Sequence, residues 1–184
     1  YSFVIAHPEN KIVVQYKRCQ LYLTMVRNME TFELQPTTQY TDLNINHPKE
    51  YKFSSYEELE KNLKTLRYDS EGYMLFSKDF NDRVKVKGDK YKEVHELKGN
   101  QSNKAFSMLE KIMNNTVKEY LTYFPEDDWV INDLSNKMVF LANDLYYLYM
   151  RIHVKKQQTE IPFKLKPILY KLHGRYLEKR YKEN

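Results

Sequence analysis

The sequence of 184 residues contains one cysteine, four glycines and one tryptophan, and it has no long apolar run. The lone Cys19 excludes a disulfide within the chain and cannot form a zinc site by itself, which favours a reducing compartment. No stretch approaches the roughly 18 apolar residues that a membrane-spanning helix needs, and no signal peptide is visible. We therefore expect a cytoplasmic protein without a membrane partner.

Two motif classes that often reveal function are also missing. Nothing resembles a glycine-rich phosphate-binding loop. The histidines have no metal-ligand spacing, so structural or surface roles are expected for His7, His47, His95, His153 and His173. The sequence therefore does not predict a metal centre built from histidine or cysteine.

The charge is unevenly distributed along the chain. The whole sequence carries 30 Lys and Arg against 25 Asp and Glu, a net charge of +5, which favours polyanionic partners without requiring them. Residues 151–184 hold ten of the basic residues and three acidic ones, whereas residues 102–150 are net acidic. The final segment is therefore the basic part of the chain.

The first hundred residues have a β-rich pattern. Strand-like runs occupy residues 1–6, 12–16 and 21–26, with a turn at residues 8–10. A polar, turn-rich stretch at residues 35–53 is typical of a connection. This pattern predicts several short strands in the first part of the chain.

A helix is predicted directly after this connection. Ser55 followed by Glu58 has the pattern of a capping box, which marks a helix N-terminus. Tyr56, Leu59, Leu63 and Leu66 then recur at helical spacing.

A β-hairpin is predicted next, with strands at residues 71–76 and 83–87 and a turn at residues 78–82. Within its second strand, side chains alternate between two faces, so Lys85 and Lys87 share one face. Taken alone, such a strand is usually a solvated edge strand. Because Glu71 opens the neighbouring strand, the lysines could instead hold a phosphate, beside which the carboxylate could hold magnesium.

From about Ser102 the apolar spacing becomes helical, and prolines separate three segments. Such apolar stripes usually form a core, and we expect that here; they consist of Ala105, Met108, Leu109, Ile112 and Met113, of Val139, Phe140, Asn143, Leu145, Tyr146 and Tyr149, and of Ile168, Leu169, Leu172, Tyr176 and Leu177. The sequence thus predicts an α+β protein with a β-rich domain at residues 1–100 and a helical domain at residues 101–184.

Two groups of residues resemble motifs of a known enzyme superfamily. The segment beginning Glu71-Gly72-Tyr73-Met74, with Lys85-Val-Lys87-Gly-Asp-Lys-Tyr91 about a dozen residues later, resembles the fourth and fifth motifs of covalent nucleotidyltransferases. It is most similar to the ATP-dependent RNA ligases of large phages and viruses. Residues 3–14 resemble the third-motif region, although Ser2 or Val4 stands in place of a glutamate. Residues 26–28 and 31–33 resemble the stretch that follows it, although Phe32 stands where glycine is common.

The resemblance implies an activity and a set of roles. These ligases join RNA 3′-hydroxyl and 5′-phosphate ends through lysyl-AMP and RNA-adenylate intermediates, using ATP and Mg²⁺. By the match, Lys85 and Lys87 are catalytic residues that contact the α-phosphate of ATP, and Glu71 binds the nucleotide and its metal. The resemblance further implies RNA repair, with tRNA as one candidate substrate, in the cytoplasm of a host if a virus encodes the protein.

The nucleophile of the family is missing from this sequence. These enzymes attack ATP with the lysine of a Lys-x-Asp/Asn-Gly motif, which does not occur in the 184 residues. Family order places that lysine before the third motif, and the chain starts at Tyr1 within a strand-like run. We therefore expect the C-terminal half of an antiparallel-β nucleotidyltransferase domain, followed by an all-helical domain. This fragment should be inactive without the N-terminal half.

The basic final segment is the candidate RNA-binding surface. DNA ligases and capping enzymes continue after the fifth motif into a β-barrel, whereas this chain becomes helical, as RNA ligases do. Lysines and arginines contact phosphates and tyrosines can stack on bases, so the candidate RNA-binding residues are Lys155, Lys156, Lys171, Arg175, Lys179 and Arg180. A solvated charged face is an equally good interpretation.

Two other functions stay open. One is a non-catalytic RNA-binding helical module on a degenerate nucleotidyltransferase scaffold, for which the Lys-Val-Lys strand is only a surface. The other is a nucleotidyltransferase of the capping type, which uses GTP.

Overall fold

The computed structural model describes residues 1–78, 80 and 82–182, without the side chains of residues 41–43. The chain forms two compact units, Tyr1–Asn100 and Gln101–Asn184. Among the described residues, the first unit contains both strands and helices, and the second contains helices and turns. The bounds are β1 Ser2–Ala6, β2 Gln20–Arg27, β3 Leu34–Gln35, α1 Tyr56–Thr65, β4 Gly72–Phe76, β5 Arg83–Lys87, α2 Asp89–Lys98, α3 Lys104–Met113, α4 Val117–Tyr123, α5 Asp128–Tyr149 and α6 Lys166–Lys182.

The prediction of a mixed α and β protein with antiparallel sheets is confirmed. Strands β1, β2 and β3 form one antiparallel sheet in that order, and β4 and β5 form another. Leu23 and Val26 of β2 are buried, because the central strand packs toward the core of the unit. Three successive residues of β1, Phe3, Val4 and Ile5, are exposed. The edge of this sheet therefore presents apolar side chains to solvent.

The strand predicted at residues 12–16 is wrong. This segment forms a series of bends in which only Val13 is buried. The amide of Gln15 donates hydrogen bonds to the carbonyls of Pro8 and Tyr16, at 3.0 and 3.1 Å. Side-chain bonds to nearby carbonyls compete with strand pairing, and the apolar run serves to bury one valine in a loop.

The turn between β2 and β3 explains the unusual position of Phe32. The backbone N–H of Phe32 donates to the carbonyl of Asn28 at 3.0 Å, and Phe32 has φ +60°. This left-handed conformation is costly for a residue with a side chain and free for glycine. The structure therefore gives a physical reason for glycine at such a position, and Phe32 adopts the same backbone shape at a cost.

The predicted N-terminus of α1 is confirmed. The Ser55 hydroxyl accepts a hydrogen bond from the Glu58 N–H at 3.3 Å, as an N-cap residue does. The Glu58 carboxylate accepts from the backbone N–H of Ser54 rather than from that of Ser55, at 2.8 Å. Leu59 and Leu63 are buried, whereas Tyr56 is exposed. The helix thus packs through its two central leucines.

A buried polar group lies inside the helical unit. The Tyr120 hydroxyl donates to Asp127 Oδ2 at 2.6 Å, and Lys104 Nζ lies 2.5 Å from Asp127 Oδ1. Burial, followed by the bond to Asp127, raises the pKa of Tyr120 far above its ordinary value. Asp127 occupies the N-cap position of α5, but its side chain makes no cap hydrogen bond. The carboxylate therefore joins α3 and α4 to the start of α5.

The apolar stripe on α5 is not a core, contrary to the prediction. Every residue from 136 to 144 is exposed, on all sides of the helix, including Phe140 at 70%. The helix is buried near its start, at Ile131. Apolar spacing reports which side chains could share a face, and here no described element covers that face.

Among residues 1–78, 80 and 82–182, no helix is long and apolar enough to cross a membrane.

Candidate functional site

The hairpin that carries the predicted catalytic lysines forms as expected. Gly72 pairs with Lys87 and Met74 pairs with Lys85, so the two lysines share one face of the sheet. At the other end, the Ser77 N–H donates to the Asp82 carbonyl at 3.0 Å. The predicted turn at residues 78–82 includes residues 79 and 81, which lie outside the described part of the chain.

Glu71 reaches the lysine face through an unusual backbone conformation at Gly72. In a regular strand, residues 71 and 72 point to opposite faces, and Gly72 shares its face with Lys87. Gly72 has φ +138°, a conformation that residues with side chains rarely adopt, and it interrupts this alternation. The Gly88 N–H donates to the Glu71 carbonyl at 3.0 Å and extends the pairing by one step.

The three predicted site residues meet in one cluster. Glu71 Oε1 lies 2.7 Å from Lys85 Nζ and 3.4 Å from Lys87 Nζ. The side chains of Glu71, Lys87 and Lys85 are 35%, 36% and 49% exposed, so the cluster is open to solvent on one side. We call these three residues the hairpin charge cluster. Its formal charge is +1, which leaves it able to accept an anion.

Tyr91 packs beside the hairpin charge cluster, and it was not predicted as a site residue. Tyr91 is 3% exposed, and Lys87 Nζ lies 5.2 Å from the centroid of its ring. Burial raises the pKa of Tyr91, and the charge of Glu71 and a hydrogen bond with it act in the same direction. Tyr91 follows Lys87 by four residues, in the first turn of α2. Tyr91 is the last residue of the fifth-motif segment, but no sequence spacing predicts that a residue of the helix contacts a lysine of the preceding strand.

The electrostatics of the cluster favour an ionised Glu71. Burial raises the pKa of Glu71, but the ammonium groups of Lys85 and Lys87 outweigh burial and hold it below the ordinary value. Two ammonium groups outnumber the one carboxylate, so a phosphate oxygen can pair with them while Glu71 stays in the cluster. The arrangement can therefore bind an anionic group close to Lys85 and Lys87.

A titration of Glu71 tests this arrangement. Because the folded-state pKa is lowered, the ion pairs stabilise the fold above the ordinary pKa of 4.5, and this contribution is lost as the pH falls through the lowered value. We expect NMR of the Glu71 carboxyl carbon to give a midpoint below 4.5, and Lys85→Ala to raise it. Lys92→Ala is the control, since Lys92 pairs with Asp89. Equal midpoints in the wild type and Lys85→Ala would contradict the ion pair.

Magnesium fits this cluster only as an ion that arrives with a nucleotide. Within the described residues, no group of three or more His, Cys, Asp or Glu side chains could hold a metal. Glu71 supplies one carboxylate, with two ammonium groups beside it that repel a bare cation. Mg²⁺ is commonly bound through one or two carboxylates together with substrate phosphates and water. The donor set matches that case and does not match a resident metal site.

The predicted RNA-binding residues lie in two places within the helical unit. Lys155 and Lys156 follow a π-helical turn, Met150–Val154, at the end of α5, and both are exposed. Lys171, Arg175 and Lys179 recur at intervals of four on α6, which places them on one side of that helix. Arg180 is the neighbour of Lys179 and is also exposed.

A group of rings beside these basic residues was not predicted. Tyr149, His153, His173 and Tyr176 contact one another where α5, the π-helical turn and α6 meet. His153 and His173 are 20 residues apart and belong to different elements, so no sequence spacing could have paired them. We call these four residues the ring cluster.

No protein-family model matches this sequence, and no curated protein has significant sequence similarity to it. The functional conclusion therefore depends on the geometry of the hairpin charge cluster and on the likeness of the motifs.

Proposed function

We propose that this chain carries the phosphate-contacting half of the nucleotidyl-transfer site of an ATP-dependent RNA ligase. The single observation that supports this proposal most strongly is the meeting of Glu71, Lys85 and Lys87 on one face of the hairpin. The motif resemblance assigns roles to the same three residues.

In the proposed reaction, a lysine outside these 184 residues attacks the α-phosphorus of ATP, and pyrophosphate leaves. The AMP passes from this lysine to the 5′-phosphate of an RNA end. The 3′-hydroxyl of the second end then attacks that phosphate, and AMP leaves as the phosphodiester forms. Each of the three steps displaces a group at phosphorus.

Lys85 and Lys87 act on the charge of the transferred phosphate. Negative charge is redistributed over its oxygens in the transition state, and two fixed ammonium groups stabilise it there. Tyr91 limits the freedom of Lys87, whose Nζ lies over its ring. Glu71 keeps the two ammonium groups together before the nucleotide binds, and together with the phosphates it would hold magnesium. The ion would supply additional positive charge at the phosphate oxygens.

A second function is supported by different residues. The ring cluster and the basic side of α6 are typical of an RNA-binding surface, which would also suit a non-catalytic module. If the protein is non-catalytic, it should bind RNA without forming a covalent adduct with AMP. If it is a capping-type enzyme, it should form a covalent adduct with GMP from GTP.

The proposal is tested by intact-protein mass spectrometry after incubation with nucleotide. The protein from the complete reading frame that contains this chain is incubated with ATP and Mg²⁺, and in parallel with GTP and Mg²⁺. A mass gain of one AMP, lost when the lysine of an upstream Lys-x-Asp/Asn-Gly motif is replaced, is the expected result. A gain of GMP instead would favour the capping-type enzyme. No gain, with no such lysine in the reading frame, would leave the RNA-binding module.

A further inference from the structure

The ring cluster contains two pairs of nearly parallel rings. The His153 and His173 centroids are 4.0 Å apart with an angle of 17° between the planes. Tyr176 continues the same orientation beyond His173, with 6.4 Å between centroids and an angle of 19°. Three rings from two elements thus form an offset stack of similar orientation.

Local contacts hold these rings in place. The Tyr149 hydroxyl and His173 Nδ1 are 3.1 Å apart, and the Tyr149 ring lies 4.9 Å from that of His153. The π-helical turn that carries His153 is closed by a bond from the Lys155 N–H to the Met150 carbonyl at 2.9 Å. Such turns are rare in proteins overall, and those that occur are often found at functional sites. The stack is therefore arranged before any ligand arrives.

One end of the stack is open to solvent. Tyr176 is 52% exposed, whereas His153 and His173 are half-buried. A flat group could lie beside Tyr176 and continue the row of parallel rings. By contrast, Tyr170 on the same helix is 67% exposed, and none of the ring contacts among the described residues involves it.

The charge around the stack favours an anion. Residues 151–184 carry ten Lys and Arg against three Asp and Glu. Lys156 is near enough to His153 to lower its pKa, after the larger effects of burial and of His173. Arg175 and Lys171 belong to the same helix as Tyr176. The ring cluster therefore lies within a basic segment whose lysines and arginines can bind phosphates.

We propose that the ring cluster binds single-stranded RNA, with one base stacking on Tyr176 and the adjoining phosphates held by Lys156, Lys171 and Arg175. Inside a duplex the base faces are already stacked on one another, whereas a single strand offers free base faces along its length. The inference rests on the proposed function only in taking RNA as the polyanion. It locates where single-stranded RNA is held.

Two probes of equal length and charge separate stacking from charge attraction. Fluorescence anisotropy is measured for a labelled single-stranded oligo(A) and for an abasic oligonucleotide, which retains the phosphates and lacks the bases. The wild type is expected to bind oligo(A) about tenfold more tightly, the effect of stacking one base. Tyr176→Ala should abolish this difference and Tyr176→Phe should retain it. Lys171→Ala and Arg175→Ala should weaken binding of both probes equally.

Tyr170→Ala is the matched control, since it removes an exposed tyrosine from the same helix without touching the ring cluster. Equal wild-type affinities for the two probes, an unaltered preference in Tyr176→Ala, or equally tight binding of duplex RNA would overturn the proposal. The binding assay is performed without ATP and does not detect RNA sealing. A failure of the ligase proposal therefore appears in the mass experiment, and a failure of this inference appears here.

Discussion

Replacing Lys85 or Lys87 by alanine in the protein from the complete reading frame is expected to lower the rate of RNA sealing at least about a hundredfold. Each ammonium group contacts Glu71, and each is proposed to contact the transferred phosphate. Removing one leaves part of the transition-state charge without a partner. The measurement is single-turnover joining of a 5′-labelled RNA, with lysyl-AMP and RNA-adenylate quantified separately.

Lys90→Ala provides the matched control for both variants. Lys90 is an exposed lysine in the first turn of α2, in the same unit and outside the hairpin charge cluster. Its loss changes the net charge by the same amount and should leave the rate within about twofold of wild type. Wild-type sealing by both Lys85→Ala and Lys87→Ala would remove the hairpin charge cluster from the mechanism.

Replacing Gly72 by alanine is expected to destabilise the β-rich unit by about 3 kcal/mol or more. A Cβ at Gly72 would lie 2.1 Å from the Val86 carbonyl oxygen and 2.8 Å from the Lys87 Cα. Both are backbone atoms of the paired strand, so the clash cannot be relieved by a side-chain rotation. The φ of +138° adds strain of its own. Hydrogen exchange should show the loss at the amide of Gly88, which closes the hairpin on Glu71.

Gly174→Ala is the contrasting variant for this experiment. Gly174 lies inside α6, where an added Cβ would meet no atom within 4 Å apart from the neighbouring backbone of its own helix. Alanine favours a helix by roughly 0.5 to 1 kcal/mol over glycine. The fluorescence of Trp129, the single tryptophan, reports on the helical unit. It should register Gly174→Ala and be less sensitive to Gly72→Ala. Unchanged protection of the Gly88 amide in Gly72→Ala would show that the hairpin tolerates a side chain there.

The hairpin was predictable because its pattern is local. Alternation in Val84-Lys85-Val86-Lys87 assigns faces, and a turn-rich stretch between two β-rich runs indicates antiparallel pairing. The contact with Glu71 was suggested by the same pairing. The conformation of Gly72 that brings Glu71 to the lysine face could not be predicted, since glycine permits this backbone shape without requiring it. The short helix α2 was missed, because in ten residues it buries only Tyr91 and Val94.

Contacts between distant elements were not predictable from one sequence. His153 and His173 belong to separate elements, and their stacking depends on how α6 packs. The strand predicted at residues 12–16 failed for a related reason. An apolar run reports what can be buried, whereas the partner that buries it determines whether the run becomes a strand or a loop. In residues 136–144 the helix forms, but the predicted burial of its apolar stripe does not, because the apolar side chains have helical spacing and remain exposed.

The uncovered middle of α5 has a consequence for local stability. Ordinary helices open first at their ends, where backbone groups lack partners, and last in the centre. In α5 the packed residues lie near the two ends, at Ile131 and at Tyr149, and residues 136–144 must maintain the helix by their own propensity. The hydrogen bonds at the centre therefore gain no protection from packing, and their rate of hydrogen exchange reports the propensity of the helix itself.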